Sequence, residues 1–285
     1  MKVCLAQVMS QPDTTTAKLH DASGRRSRFV RTPTGKRIEL GARDQEILRW
    51  LYRYGYLRQS QLVALLQPRS EKRLIERLGD LFHETGLINR PLAEPGSFDL
   101  RATPMLYEVT ARGIDWLTAR DALPHRAVTF SFRSKRAGRH QLPHTMMIIE
   151  TLLAIELATM KADGQRFVPV YEILARASAA TRTARKPLAL PLTGLVAGCS
   201  SALLIPDALY GIEYDIAGEK RYRFWALECE RTSPAWRSTM TASSTAKKKA
   251  AYDAVIRSGA YRIHWGIPNL KLQVVRASVP IATAR

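Results

Sequence analysis

Over residues 40–117 the spacing of apolar residues is helical in four runs and extended in two, and this order leaves few folds open. In ARDQEILRWLYRYGYL the residues Ile47, Leu48, Leu51 and Tyr54 fall on one face of a helix, and Gly55 supplies its stop. RQSQLVALLQP reads as a short second helix ending before Pro68. RSEKRLIERLGDLFHETGLI gives a third, with Leu74, Leu78, Leu81 and Phe82 on one side and Lys72, Arg73, Glu76 and Arg77 on the other, closed by Gly86. Leu87 and Ile88 then begin a strand. PMLYEVTARGIDWLTAR supplies the return strand and a closing helix with Thr110 placed as its N-cap. The expected order is three helices, a two-stranded hairpin and a helix.

That order is the winged helix-turn-helix, and YLRQSQLVALL with LYEVTARGIDWL resembles bacterial winged-helix domains. The resemblance implies that the third helix enters the major groove of DNA, with Arg69, Ser70, Lys72, Arg73 and Arg77 as the contact residues. Winged helices also dock proteins, so that use stays open. The charge points the same way as the resemblance: 44 Lys and Arg against 25 Asp and Glu give a net charge of +19 over 285 residues. Such an excess is an electrostatic footprint for a polyanion, and nucleic acid is the first candidate. Cys4, Cys199 and Cys229 stand apart, with no CxxC pair, so neither a zinc site nor a disulfide framework is expected. No run approaches about 18 consecutive apolar residues. A cytoplasmic protein without a membrane partner is the expectation.

Residues 1–37 carry the basic cluster GRRSRFVRTPTGKR and few apolar residues, and read as a basic flexible tail. Residues 38–122 form the winged-helix unit, and 123–285 a second unit that opens with a basic linker. In the second unit HQLPHTMMIIETLLAIELATMKADG is a core helix, RFVPVYEIL a strand, and residues 176–202 a loop-forming basic insertion. Strands are expected at 208–214 and 222–228 around the turn Ala217-Gly218, a helix at 239–258, and strands in AYRIHWGIP and KLQVVRA. The fold class is therefore α/β of the α+β kind.

Helix, three strands, helix and strand in that order resemble the core of the PD-(D/E)xK nucleases. Pro206-Asp207 opens one strand, and Glu228-Cys229-Glu230 closes the next. Cleavage of a phosphodiester by Mg²⁺ or Mn²⁺ needs converging oxygen ligands. The resemblance implies Asp207, Glu228 and Glu230 as catalytic metal ligands, with Glu150 of the core helix as an additional candidate. Glu230 stands where the superfamily has lysine. Some members draw the basic residue from the following helix, which implies Lys249 here, one turn before Tyr252. His140 and His144 are four apart, with Pro143 between them, and capping or packing is the simpler reading of the pair.

The winged helix, HQLPHTMMIIE, the Pro-Asp pair, ALECERTS and KKKAAY together resemble the replication-relaxation family of plasmids and integrative elements. The resemblance implies a DNA-binding protein acting in replication, relaxation or mobilisation. The chain is then either a Mg²⁺- or Mn²⁺-dependent nicking endonuclease, or a noncatalytic accessory factor or transcriptional regulator with a degenerate nuclease fold. Double-stranded DNA, a relaxase or replication protein, and a second copy of the chain are the implied partners.

Overall fold

The computed structural model describes residues 26–91, 105–121, 123–124, 138–195, 203–230 and 245–276. The first group of elements is α1 (Ala42–Tyr54), β1 (Tyr56–Arg58), α2 (Gln59–Leu66), α3 (Glu71–Asp80), β2 (Ile88–Asn89), β3 (Leu106–Val109) and α4 (Ala111–Thr118). One π-helical turn, Leu81–Thr85, prolongs α3. The strands form an antiparallel sheet in the order β1-β3-β2. This is the expected helix and hairpin order, with β1 added as a third strand. Ile47, Leu48, Leu51, Leu62, Leu78 and Phe82 are fully buried at its centre. Each contributes about 1.5 to 3 kcal/mol by leaving water. Thr110 caps α4 as expected, its Oγ1 accepting from Gly113 N at 3.1 Å. Gly113 has no substitute there, because a Cβ would stand 2.3 Å from the Leu87 carbonyl oxygen.

Residues 26–37 lie across this unit as a strap, where the sequence suggested a flexible tail. Arg31 donates to the carbonyls of Phe82 (3.1 Å) and Ile88 (2.9 Å), and Lys36 pairs with Asp80 at 2.7 Å. Thr32 N donates to Nδ1 of buried His83 at 3.1 Å, and Arg26 reaches Glu84 at 2.7 Å. The basic residues that look solvated in the sequence have their acceptors some fifty positions away. No local pattern reports such contacts.

The second group is α5 (Gly138–Lys161), β4 (Gln165–Val168), α6 (Val170–Arg176), α7 (Ala179–Thr183), β5 (Leu190–Pro191), β6 (Leu203–Leu204), β7 (Ala208–Ile216), β8 (Glu219–Glu230), α8 (Thr245–Ser258), α9 (Ala260–Trp265) and β9 (Lys271–Arg276). Its main sheet has the order β4-β7-β8-β9, antiparallel except for the parallel pair β8-β9. The chain is thus a mixed α+β protein. Ala217 and Gly218 turn the β7-β8 hairpin with φ of 54° and 84°, the conformation of a type I′ turn. In α5 the stretch Leu142–Lys161 is long and apolar enough to cross a membrane, yet half of it is buried inside the protein. Ile148, Ile149, Leu152 and Leu153 supply that buried side.

Three expectations change here. RFVPVYEIL is a strand only as far as Val168, since Pro169 ends it and becomes the N-cap of α6. AYRIHWGIP is the helix α9: Tyr261, Ile263 and Trp265 alternate like a strand, but Ile263 is 82% exposed while Tyr261 and Trp265, one helical turn apart, are buried. Gly259 and Gly266, with φ of 72° and 69°, bound it. The insertion expected as loop holds α7 and β5, which pairs with β6 just beyond it, and its residues 196–202 lie outside the described residues, as do 239–244 of the expected helix at 239–258.

Candidate functional site

Two places hold the residues singled out from the sequence. The first is α3. Ser70 is its N-cap, its Oγ accepting from Arg73 N at 3.4 Å, so that hydroxyl starts the helix. Leu74 and Leu78 are buried, while Lys72 and Arg73 in the first turn, and Arg69 just before the N-cap, are exposed. Their cationic groups have no hydrogen-bond or ion-pair partner among the described residues. Arg77 differs. Its guanidinium donates to both oxygens of buried Asp44, at 2.7 and 2.6 Å, and to the Glu39 carbonyl. Hydrogen bonding to Asp44 raises its pKa further. Arg77 ties α3 to α1, which removes it from the expected contact set.

The second place is the end of the main sheet where β7 begins and β8 finishes. Asp207 N donates to Leu227 O at 3.1 Å, which seats Asp207 beside the last residues of β8. Its Oδ2 accepts from Cys229 N at 2.8 Å, and its Oδ1 lies 3.3 Å from His144 Nε2 on α5. Burial pushes the Asp207 carboxyl up, but His144, the Cys229 amide and the Lys248 charge outweigh it, and its pKa lies below the usual value. Glu228 is 5% exposed and faces α8. Tyr252 Oη donates to its Oε1 at 2.6 Å, and Lys248 Nζ makes a short ion pair with its Oε2. Burial raises the Glu228 pKa, assisted by the neighbouring Asp207 charge and opposed by Lys248 and Tyr252. On the opposite face of β8, burial pushes the Cys229 thiol up to about 11, with Thr151 of α5 bonded to it.

Lys248, not Lys249, is the lysine at the carboxylates. Lys249 points to solvent and pairs with Asp253 at 3.3 Å, the i,i+4 partner on its own helix. Both lysines precede Tyr252 by about one turn, so periodicity alone does not separate them. The Lys249-Asp253 spacing was the available sign. Glu230 does not join either: its Oε2 accepts from Arg276 of β9 at 3.1 Å. Glu150 is exposed and pairs with Arg58 at 3.2 Å. His140 contributes no described side chain, whereas His144, the other member of the pair, supplies the contact to Asp207.

These donors were weighed as a divalent-metal site. Among the described residues no group of three or more His, Cys, Asp or Glu side chains is disposed to hold an ion. The oxygens of Asp207 and Glu228 already accept from His144, the Cys229 amide, Tyr252 and Lys248. The positive charge that two neighbouring carboxylates demand is supplied by the chain itself. The three-carboxylate set expected from the sequence does not fit a metal as placed.

The family model described as Replication-relaxation matches residues 48–270, most of the chain. The chain belongs to the replication-relaxation family. The match runs from α1 to the residue before β9 and so includes α3, Asp207, Glu228 and Lys248. Membership gives this replication-relaxation protein a role in the replication or relaxation of mobile elements. No curated protein matches the chain, and no solved structure does.

Proposed function

We propose that this replication-relaxation protein binds double-stranded DNA through the solvent face of α3. One observation carries the reading: Arg69, Lys72 and Arg73 stand exposed at the start of a helix whose other face is core, with no hydrogen-bond or ion-pair partner for their cationic groups among the described residues. In a chain of net charge +19, cations left unpaired on one rigid element suit a phosphate backbone. The helix order that leads up to α3 supports its use as the groove-facing element. The test is duplex affinity across a salt series. Log K should fall by about 0.9 per neutralised phosphate, and replacing Arg69, Lys72 and Arg73 together by Ala should cut affinity at least tenfold. Unchanged duplex binding by that variant would remove α3 from the interface.

A second reading, strand cleavage at the Asp207-Glu228-Lys248 centre, is favoured by the way β7, β8 and α8 gather these three side chains. Because these carboxylates do not fit a metal as placed, the reading requires that Mg²⁺ or Mn²⁺ displace Lys248 from Glu228. Incubating supercoiled plasmid with the protein, with either ion or with chelator, decides it. Nicked product that needs the ion and disappears in Asp207→Asn supports cleavage. Intact plasmid under all conditions leaves a noncatalytic DNA-binding factor, in which the polar centre fastens α8 and α5 to the sheet.

A further inference from the structure

The hairpin β7-β8 has a second end, about 23 Å from the carboxylates at ~3.3 Å per residue, and a different chemistry gathers there. β9 pairs with β8 only from Trp225 onward, so the part of β8 before Trp225 is a free edge. Asn269 covers the first step of that edge: its Oδ1 accepts from Phe224 N at 3.0 Å, and its Nδ2 donates to Tyr222 O at 2.8 Å. Beyond it lies an open cavity of about 650 Å³, lined by Tyr214, Arg221, Tyr222, Arg223, Asn269 and Lys271 among others.

The register sorts these side chains. Tyr214 pairs with Arg221, Arg223 lies two residues further along β8, and Lys271 pairs with Trp225, so all four project from one face of the sheet. Arg221 is paired to Glu219 at 3.0 Å. Arg223 and Lys271 are exposed and have no ion-pair or hydrogen-bond partner among the described residues. The half-buried Tyr214 also borders the cavity, whereas Tyr222 pairs with Glu213 and so projects from the other face, where it stacks on Phe224. Partnerless cations over a concave, tyrosine-bearing floor form a stacking platform inside a positive groove. A duplex keeps its bases stacked within itself and would offer the Tyr214 ring only sugar and phosphate. A single strand offers both bases and phosphates.

We infer that this groove binds single-stranded DNA, with Arg223 and Lys271 on phosphates and Tyr214 under a base. The inference rests on the reading of the chain as a DNA-binding protein and adds a second site with a different substrate form. Replication and relaxation both expose single strands, so a separate seat for one fits a protein of this family.

The test uses the full chain and fluorescence anisotropy with a labelled mixed-sequence 20-nucleotide single strand and the blunt duplex of the same sequence. Arg223→Ala with Lys271→Ala should weaken single-strand binding at least tenfold, lower the salt slope by about 1.4, at about 0.7 per phosphate, and leave duplex affinity within twofold. Tyr214→Ala should weaken the single strand at least fivefold with the salt slope unchanged, and Tyr214→Phe, which keeps the ring, should restore it. Melting curves of each variant report folding, and the phenylalanine variant keeps the test decisive if the alanine variant unfolds. Single-strand affinity unchanged in the double variant, or lost equally for the duplex, overturns the inference. A wild-type protein that binds duplex but no single strand overturns it while leaving the α3 reading in place; binding of neither form overturns both.

Discussion

The cations at the start of α3 and the cation of the carboxylate centre have opposite circumstances. Arg69, Lys72 and Arg73 have been brought to the surface without a counter-charge, whereas Lys248 has been brought to buried Glu228 and held there by it. A cation without a partner inside the protein is available to a partner outside it. One that is already paired is a structural tie, whatever further use it has. Arg77 shows that the distinction lies in the pairing and not in the helix, since it shares α3 with the free cations and is bound to Asp44.

The largest expected effects break the ties. Lys248→Ala leaves Glu228 buried beside Asp207 with its main counter-charge gone, and should cost about 2 to 3 kcal/mol, less than for a fully buried pair because the Lys248 side chain is 41% exposed. At about 2–4 °C per kcal/mol, thermal melting should drop by about 5 °C or more, with duplex affinity kept. Arg77→Ala strands Asp44 in the same way and should lower the melting temperature by about as much. Next in size is the triple α3 variant, at least tenfold in duplex affinity, or about 1.4 kcal/mol. Its melting temperature should stay within about 2 °C of wild type. If it melted early, or if Lys248→Ala abolished duplex binding without destabilising the fold, the contrast between free and tied cations would be lost.

A pH-dependent effect follows from the strap. Burial and the nearby charges of Arg90 and Arg26 lower the pKa of His83 to about 4 from its ordinary 6.5. The folded state therefore binds this proton less readily than the unfolded state. The stabilisation is complete above about 6.5 and is lost as the pH falls toward about 4. Melting temperature recorded through that window should decline, and His83→Gln should flatten the decline. The smallest effect is Lys249→Ala, within about 0.5 kcal/mol on melting and without consequence for the carboxylate centre, because its partner is an exposed residue on its own helix.

What the sequence disclosed follows from the range over which each signal acts. The helices of the first group, the turn at Ala217-Gly218 and the placement of Asp207 and Glu228 at strand ends rest on period, glycine and strand length, all local. The partners of those carboxylates are not local. His144 reaches Asp207 across 63 positions and Lys248 reaches Glu228 across 20, and several chemically equal candidates stood nearby in each case. The nuclease resemblance implied Glu230 as a ligand, but the parallel strand β9 put Arg276 beside it. The strap failed for the same reason: a basic, polar segment has the composition of a tail unless its acceptors, here Glu84, Asp80 and His83, are known.

Helix α5 has a consequence of its own. Toward its C-terminal half, Glu156 accepts from Tyr54 and pairs with Arg53 of α1 at 2.9 Å, and toward its start His144 touches Asp207. From His144 to Glu156 the helix rises about 18 Å at ~1.5 Å per residue. A hydrogen-bonded backbone neither stretches nor shortens over that span as a loop would. Helix α5 is therefore a ruler between α1 and the polar end of the sheet. A pull on α1 can be accommodated by tilting the ruler or by breaking one of its two end contacts, but not by changing its length.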